Sequence, residues 1–219
     1  MGIRPSSTRG DQTREALIDA AIEIFGRDGF RAASTRSIAD AAGVNQALIG
    51  YHFGGKPGLY LAAFERITGA VEQHLLPVTQ PIEEEFRRGE VDRERGVAYV
   101  LTMIDAIVAT FTLPESEAWA RLILREQQNP SDAFDRLYDR VLGRHLTLMT
   151  ALIARVRRLD PQSIEARLIS QTVIGQGLVF RSARATVLRH LGWRELGTGE
   201  IASIQSVIRR NVTAMLTGR

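Results

Sequence analysis

Apolar residues recur along this chain at helical spacing, and no segment alternates strictly between turn residues, so the chain reads as all-α. Leu17, Ala20, Ala21, Ile24 and Phe25 stand at i, i+3, i+4, i+7 and i+8, one stripe of a helix over about residues 11–28 that Gly29 ends. Ser34 or Thr35 can cap a second helix through Ala42, and Gly43 breaks it. Asn45 can cap a third helix that runs to Phe53. Pro57 sits at the first position of a fourth, over 57–75, whose stripe is Leu59, Tyr60, Ala63, Phe64 and Ile67. Pro77 and Pro81 mark a boundary, and further helices are expected at about 82–89, 93–112, 115–128, 131–158, 161–191 and 199–217. Pro114, Asn129-Pro130, Asp160-Pro161, Gly192 and Gly197 punctuate them, with Asp160 read as the cap of the helix that Pro161 opens. Residues 1–10 read as a flexible arm.

Residues 35–54 have the layout of a helix-turn-helix. Two helices that cross steeply over a short turn need a small residue where their backbones touch and a glycine where φ turns positive. Ala39 and Gly43 stand at those places, and Ile38, Ala42, Val44 and Ile49 supply the apolar contacts between the helices. The residues between them are left for an outside partner.

Composition narrows the field. The absence of cysteine excludes disulfides, thiolate zinc sites and cysteine catalysis. The net charge of +3 is too weak to argue for nucleic acid by itself. It is also uneven: residues 161–219 hold eight arginines against three carboxylates, and residues 57–114 hold five basic against nine acidic residues. The apolar stretch from Tyr99 to Leu113 carries Asp105 and is short for a bilayer span, so no membrane segment is expected. The first residues lack the apolar run of a secretory signal, and a cytoplasmic location is expected.

The segments Leu17-Ile18-x-Ala20-Ala21-x-x-Ile24-Phe25, Gly29-Phe30, Thr35-x-x-Ile38-Ala39, Ala42-Gly43-Val44 and Tyr51-His52-Phe53-x-x-Lys56-x-x-Leu59 resemble the TetR family of bacterial transcriptional regulators. Within it, the run from Asn45 to Lys56, and Leu124-Arg125-Glu126 followed by Pro130, are most similar to the CecR subgroup. The resemblance implies a helix-turn-helix DNA-binding domain over 11–56 and a helical effector-binding and dimerisation domain over 57–219. It implies a homodimer on a palindromic operator, repression, and release by a small-molecule effector. Arg36, Gln46, Ala47 and Leu48 then face bases, and Thr35, Tyr51, His52 and Lys56 match phosphate-contacting positions. For Leu48, Tyr51 and His52 a packing role stands beside the contact role, while Ile49 and Phe53 are assigned to the core. Gly50 departs from the family, where tyrosine is frequent, and suggests close approach of the backbone to DNA.

The same resemblance places the dimer interface on the C-terminal helices, with Ile169, Val173, Phe180, Ile204 and Ile208 as its candidates. Trp119, Arg125 and His145 are the candidate effector contacts, and Arg125 and Glu126 interrupt an apolar stretch where either can orient a polar ligand or form a helix-to-helix ion pair. No cofactor, metal or catalytic activity is expected. Two alternatives remain. Asp132, Asp135 and Asp139 at i, i+3 and i+7 can line a helix as a metal-dependent enzyme requires, although Arg136 and Arg140 interleave as on a solvated face. The other alternative is an architectural protein that binds DNA without reading its sequence.

Overall fold

Side-chain caps and positive-φ glycines delimit the first helices. The computed structural model describes residues 9–113 and 116–218, so most of the arm expected over 1–10 lies outside the described residues; Arg9 and Gly10 open α1 (Arg9–Ala32). Gly29 interrupts α1 with φ 82° and ψ 164°, where the sequence stops the helix, and one further turn follows. Ser34 caps α2 (Thr35–Ala42) in a capping box with Ser37, and Gly43 closes it in the left-handed region at φ 67°. Before α3 (Ala47–Phe53), Asn45 Oδ1 accepts the Ala47 N–H at 2.8 Å.

The fourth helix departs from expectation. Pro77 and Pro81 do not end it, and α4 runs Lys56–Arg87 through both, absorbing the separate helix expected at 82–89. Each proline removes one backbone donor. Val71, Leu75, Thr79 and Ile82 nevertheless fall on one buried face, and that burial holds the helical path. The remaining helices are α5 (Arg93–Thr112), α6 (Ser116–Gln128), α7 (Asp132–Leu137), a π-helical turn at Tyr138–Leu142, α8 (Gly143–Arg157), α9 (Ile164–Ser182), α10 (Arg184–Leu191) and α11 (Thr198–Thr217). The single helix expected over 161–191 is two, parted at Ala183. Asp160 is not its cap: Ser163 accepts the Ala166 N–H, and Asp160 Oδ1 instead closes a turn with the Gln162 amide.

Two compact units result. One comprises Met1–Gly69 with Ala118–Leu137, the other Ala70–Glu117 with Tyr138–Arg219. The first is therefore larger than the 11–56 segment, because Leu59, Ala63, Phe64 and Ile67 of α4 are fully buried. Its aromatic cluster places Tyr60 edge-on to Phe25 at 5.0 Å and to Phe30 at 4.9 Å. In the second unit α5 packs against α8, α9 and α11. Among the described residues α5 alone is long and apolar enough to cross a membrane, and 56% of its apolar window is buried, as in the core helix of a folded domain.

Candidate nucleic-acid interface

The helix-turn-helix forms as its spacing requires. Ile38 and Ala39 of α2 and Ile49 of α3 are buried, with Val44 half-buried in the turn between the helices, and α2 packs against α1. The Val44 N–H donates to the Ala39 carbonyl at 3.0 Å and closes the end of α2. Phe53, assigned to the core, is only half-buried: it ends α3 with the Arg14 guanidinium 5.4 Å above its ring.

The residues nominated for DNA largely face outward. Arg36 is exposed and lies 3.9 Å from Asp40, one helical turn away. Gln46, Ala47, Gly50 and Tyr51 are exposed, Tyr51 at 82%, which removes the packing alternative for that ring. Leu48 and His52 are half-buried, and His52 stands edge-on to Tyr51 at 5.0 Å. Gln46 Nε2 donates to Thr35 Oγ1 at 2.8 Å, which joins the first turns of α2 and α3.

Lys56, the chain's one lysine, is tied inward. Its Nζ donates to the Arg31 carbonyl at 3.3 Å and stands 4.7 Å above the Phe30 ring. An ammonium has three N–H groups, so donors remain for a phosphate.

Two positions escaped the sequence. Gly58 lies in the first turn of α4, and a Cβ there would overlap the Phe53 carbonyl oxygen, so glycine alone lets the end of α3 sit this close to α4. Arg14, over Phe53 at the same end of α3, is a half-exposed cation that no motif singled out. A glycine in a helix and an arginine on a charged face carry no signal until the chain is folded.

The effector candidates fall in both units. Arg125 does not face an open site: its Nε and Nη2 donate to the Gly26 and Arg27 carbonyls at 3.2 and 2.9 Å, just before the break at Gly29. Glu126 is buried and accepts the Tyr60 hydroxyl at 2.6 Å, the Ser131 N–H at 2.9 Å and the Ser131 hydroxyl at 2.8 Å. Burial, then this bond to Glu126, pushes the Tyr60 phenol above its ordinary range. Trp119 is buried in the same unit. His145 belongs to the second unit, where its Nδ1–H donates to the Val141 carbonyl at 2.7 Å and its Nε2 lies 3.3 Å from Thr79 Oγ1. Its imidazole is held below its ordinary pKa, first by burial.

Of the five dimer candidates, Val173, Ile204 and Ile208 are buried within the subunit, and Ile169 and Phe180 are half-buried. The large apolar side chains left outside on α9 and α11 are Ile164 (69% exposed), Leu168 (59%), Val179 and Val207. The carboxylate row also fails. Asp139 falls in the π-helical turn, which breaks the register with Asp132 and Asp135 on α7. Among the described residues no group of three or more histidines or carboxylates converges as metal ligands do.

Comparison with known proteins agrees with this architecture. Residues 99–219 match the C-terminal domain of the HTH-type transcriptional dual regulator CecR, and residues 17–63 match the bacterial regulatory proteins of the tetR family. The chain is 29% identical to CecR of Shigella flexneri over 96% of this chain and 94% of that protein. In fold it is similar to a TetR-like regulator from Rhodococcus sp. RHA1, with a TM-score of 0.69, 16% identity and coverage of 97% of this chain and all of the other. It is similar also to AibR, whose structure holds isovaleryl coenzyme A and operator DNA, with a TM-score of 0.66, 13% identity and coverage of 94% and 98%. The chain belongs to the TetR family of DNA-binding transcriptional regulators and carries the C-terminal domain characteristic of CecR.

Proposed function

We propose that this regulator represses transcription by binding a palindromic operator as a homodimer, and that a small-molecule effector releases it. One observation carries the reading: Arg36, Gln46, Ala47 and Tyr51 stand outside a head whose core closes without them. A helix laid in the major groove presents such residues to base edges and flanking phosphates. Arg36, Gln46, Ala47 and Leu48 read bases, and Thr35, Tyr51, His52 and Lys56 hold phosphates.

The DNA-binding part is residues 11–56, and residues 57–219 serve effector binding and dimerisation. The protein acts in the cytoplasm and catalyses no reaction. The dimer surface lies on α9 and α11, where Ile164, Leu168, Val179 and Val207 are exposed and Ile169 and Phe180 half-buried, leaving them for a second copy to cover. The effector acts by binding more tightly to a dimer whose two heads no longer match the operator's half-site spacing; equal affinity for both arrangements releases nothing. AibR, bound to isovaleryl coenzyme A and operator DNA, supports an effector-responsive mechanism in this fold.

Selection of bound duplexes from a random pool tests this. The enriched site is an inverted repeat, and binding to it stays well above binding to random duplex as salt rises. Arg36→Ala and Gln46→Ala change which bases are preferred, while Lys56→Ala weakens all sequences alike. Enrichment of no sequence favours an architectural protein and sinks the reading.

A further inference from the structure

We propose that Thr35 is the positioning residue of the base reader Gln46, so that the backbone clamp and the base reader of each head act as one unit. The proposal rests on the reading of Gln46 as a base contact. Both side chains are spared the task usual at their positions. Ser34 and Ser37 already complete the capping box of α2, so Thr35, the first residue inside it, is not the capping side chain. Asn45 Oδ1 holds the Ala47 amide at the start of α3, and Gln46 makes no side-chain capping bond. What the two side chains do instead is bond to each other across eleven residues, Gln46 Nε2 to Thr35 Oγ1 at 2.8 Å.

The chemistry of the amide gives this bond a direction. A glutamine amide has two N–H groups and one acceptor oxygen. An amide that spends the N–H trans to Oε1 on Thr35 keeps an edge that pairs Oε1 with the cis N–H, the acceptor-and-donor set that adenine N6 and N7 require. Thr35 Oγ1 keeps its own proton while it accepts from Gln46, and that proton is free to donate to a phosphate oxygen. A phosphate, Thr35, Gln46 and adenine thus form one line of hydrogen bonds, each orienting the next. In the free protein water competes for an exposed bond of this kind; docking on DNA removes the water and makes the orientation count.

The test uses the full chain and the inverted repeat enriched above, with each base substituted in turn at every half-site position. Gln46→Ala locates the position that Gln46 reads, by loss of a preference on the order of tenfold. Thr35→Val, which keeps the side chain's shape and removes the hydroxyl, lowers the preference at that same position by a similar factor and leaves other positions unchanged, besides weakening overall affinity. Thr35→Ser restores the preference. In the Gln46→Ala background Thr35→Val changes no preference further. If Thr35→Val weakens every duplex equally and spares the preference, Thr35 is a phosphate contact alone: the positioning role is overturned and the base-reading assignment stands. If Gln46→Ala changes no preference, the base-reading assignment falls and takes the positioning role with it.

Discussion

A methyl group added at Gly58 would fall on the carbonyl oxygen of Phe53, whereas one added at Gly177 would meet only the side-chain ends of Val108 at 3.0 Å and Ile104 at 3.1 Å. The first glycine belongs to the unit that holds the helix-turn-helix, and the second to the unit built around α5. Polar bonds to backbone carbonyls occur in both units, as from Arg155 to Val91 and from Arg181 to Phe111 and Leu113 in the second, so the contrast is between the surroundings of the helix-turn-helix and the packing of α5. In the first unit, geometry is set by backbone atoms and by polar bonds aimed at them: the Ser34 capping box, the positive φ of Gly43, and Arg125 on the carbonyls of Gly26 and Arg27. In the second, α5 is fitted to α8, α9 and α11 by apolar side chains such as Val100, Ile104, Leu152 and Val173. Backbone constraints admit few residue types, and apolar packing admits many.

The largest effects should separate the two units. Gly58→Ala costs about 3 kcal/mol, because backbone atoms have to move to relieve the overlap. Denaturant titration reads the loss, and operator binding falls with it. Gly177→Ala stays within about 1 kcal/mol of the parent, since the Val108 and Ile104 methyls need give only slightly and alanine favours the helix. Equal costs for the two would erase the distinction between backbone and side-chain constraint.

Arg125→Ala comes next. Gly29 breaks the helical backbone just after Gly26 and Arg27, and Arg125 supplies a charged donor to the carbonyl of each. Its loss costs about 2 kcal/mol by thermal or urea unfolding. A variant as stable as the parent would mean that water replaces the guanidinium without penalty.

How much of this was legible beforehand follows the same division. The α2–turn–α3 unit was readable because its determinants are local: a cap acts within three residues, and a positive φ demands glycine at the residue itself. Which apolar residue meets which neighbour was not. The spacing of Val173, Ile204 and Ile208 marks them as apolar positions on helices, but only the fold shows them covered within the subunit while Ile164 and Leu168 stay outside. Pro77 and Pro81 misled for a related reason. A proline is a local stop signal, and burial of Val71, Leu75, Thr79 and Ile82 outweighs it. The Thr35–Gln46 bond lay between these cases: both residues stood out for DNA, and only the folded turn brings them together.

The second unit buries a titratable imidazole in His145, and pH isolates it. Burial holds the imidazole neutral in the folded state, Arg144 pushes the same way, and the Val141 carbonyl, Glu83 and Glu72 oppose. The unfolded chain takes up the proton at the ordinary value of about 6.5. Its contribution to stability is therefore complete above that pH and declines as pH falls toward the lower folded value. Melting temperatures at pH 7.5 and 5.5 should drop more for the parent than for His145→Gln. The difference is smaller than the loss from Arg125→Ala and appears only on the acidic side. Equal drops would place the acid sensitivity elsewhere.

The smallest effect on the free protein has the opposite sign, and it sharpens the contrast within α3 itself. Gly50 is exposed in a seven-residue helix, with no atom within 4 Å of where its Cβ would be. Unlike Gly58, it answers no demand of the subunit. Glycine costs about 1 kcal/mol relative to alanine inside a helix, so Gly50→Ala should stabilise the free protein by up to that amount. On the proposed reading the demand comes from outside: a bare backbone beside the exposed Tyr51 would let the helix lie closer to the duplex than a side chain permits. Gly50→Ala should therefore raise the melting temperature while weakening operator binding severalfold. A variant that gains stability and binds as tightly as the parent would show that the helix tolerates this glycine without using it.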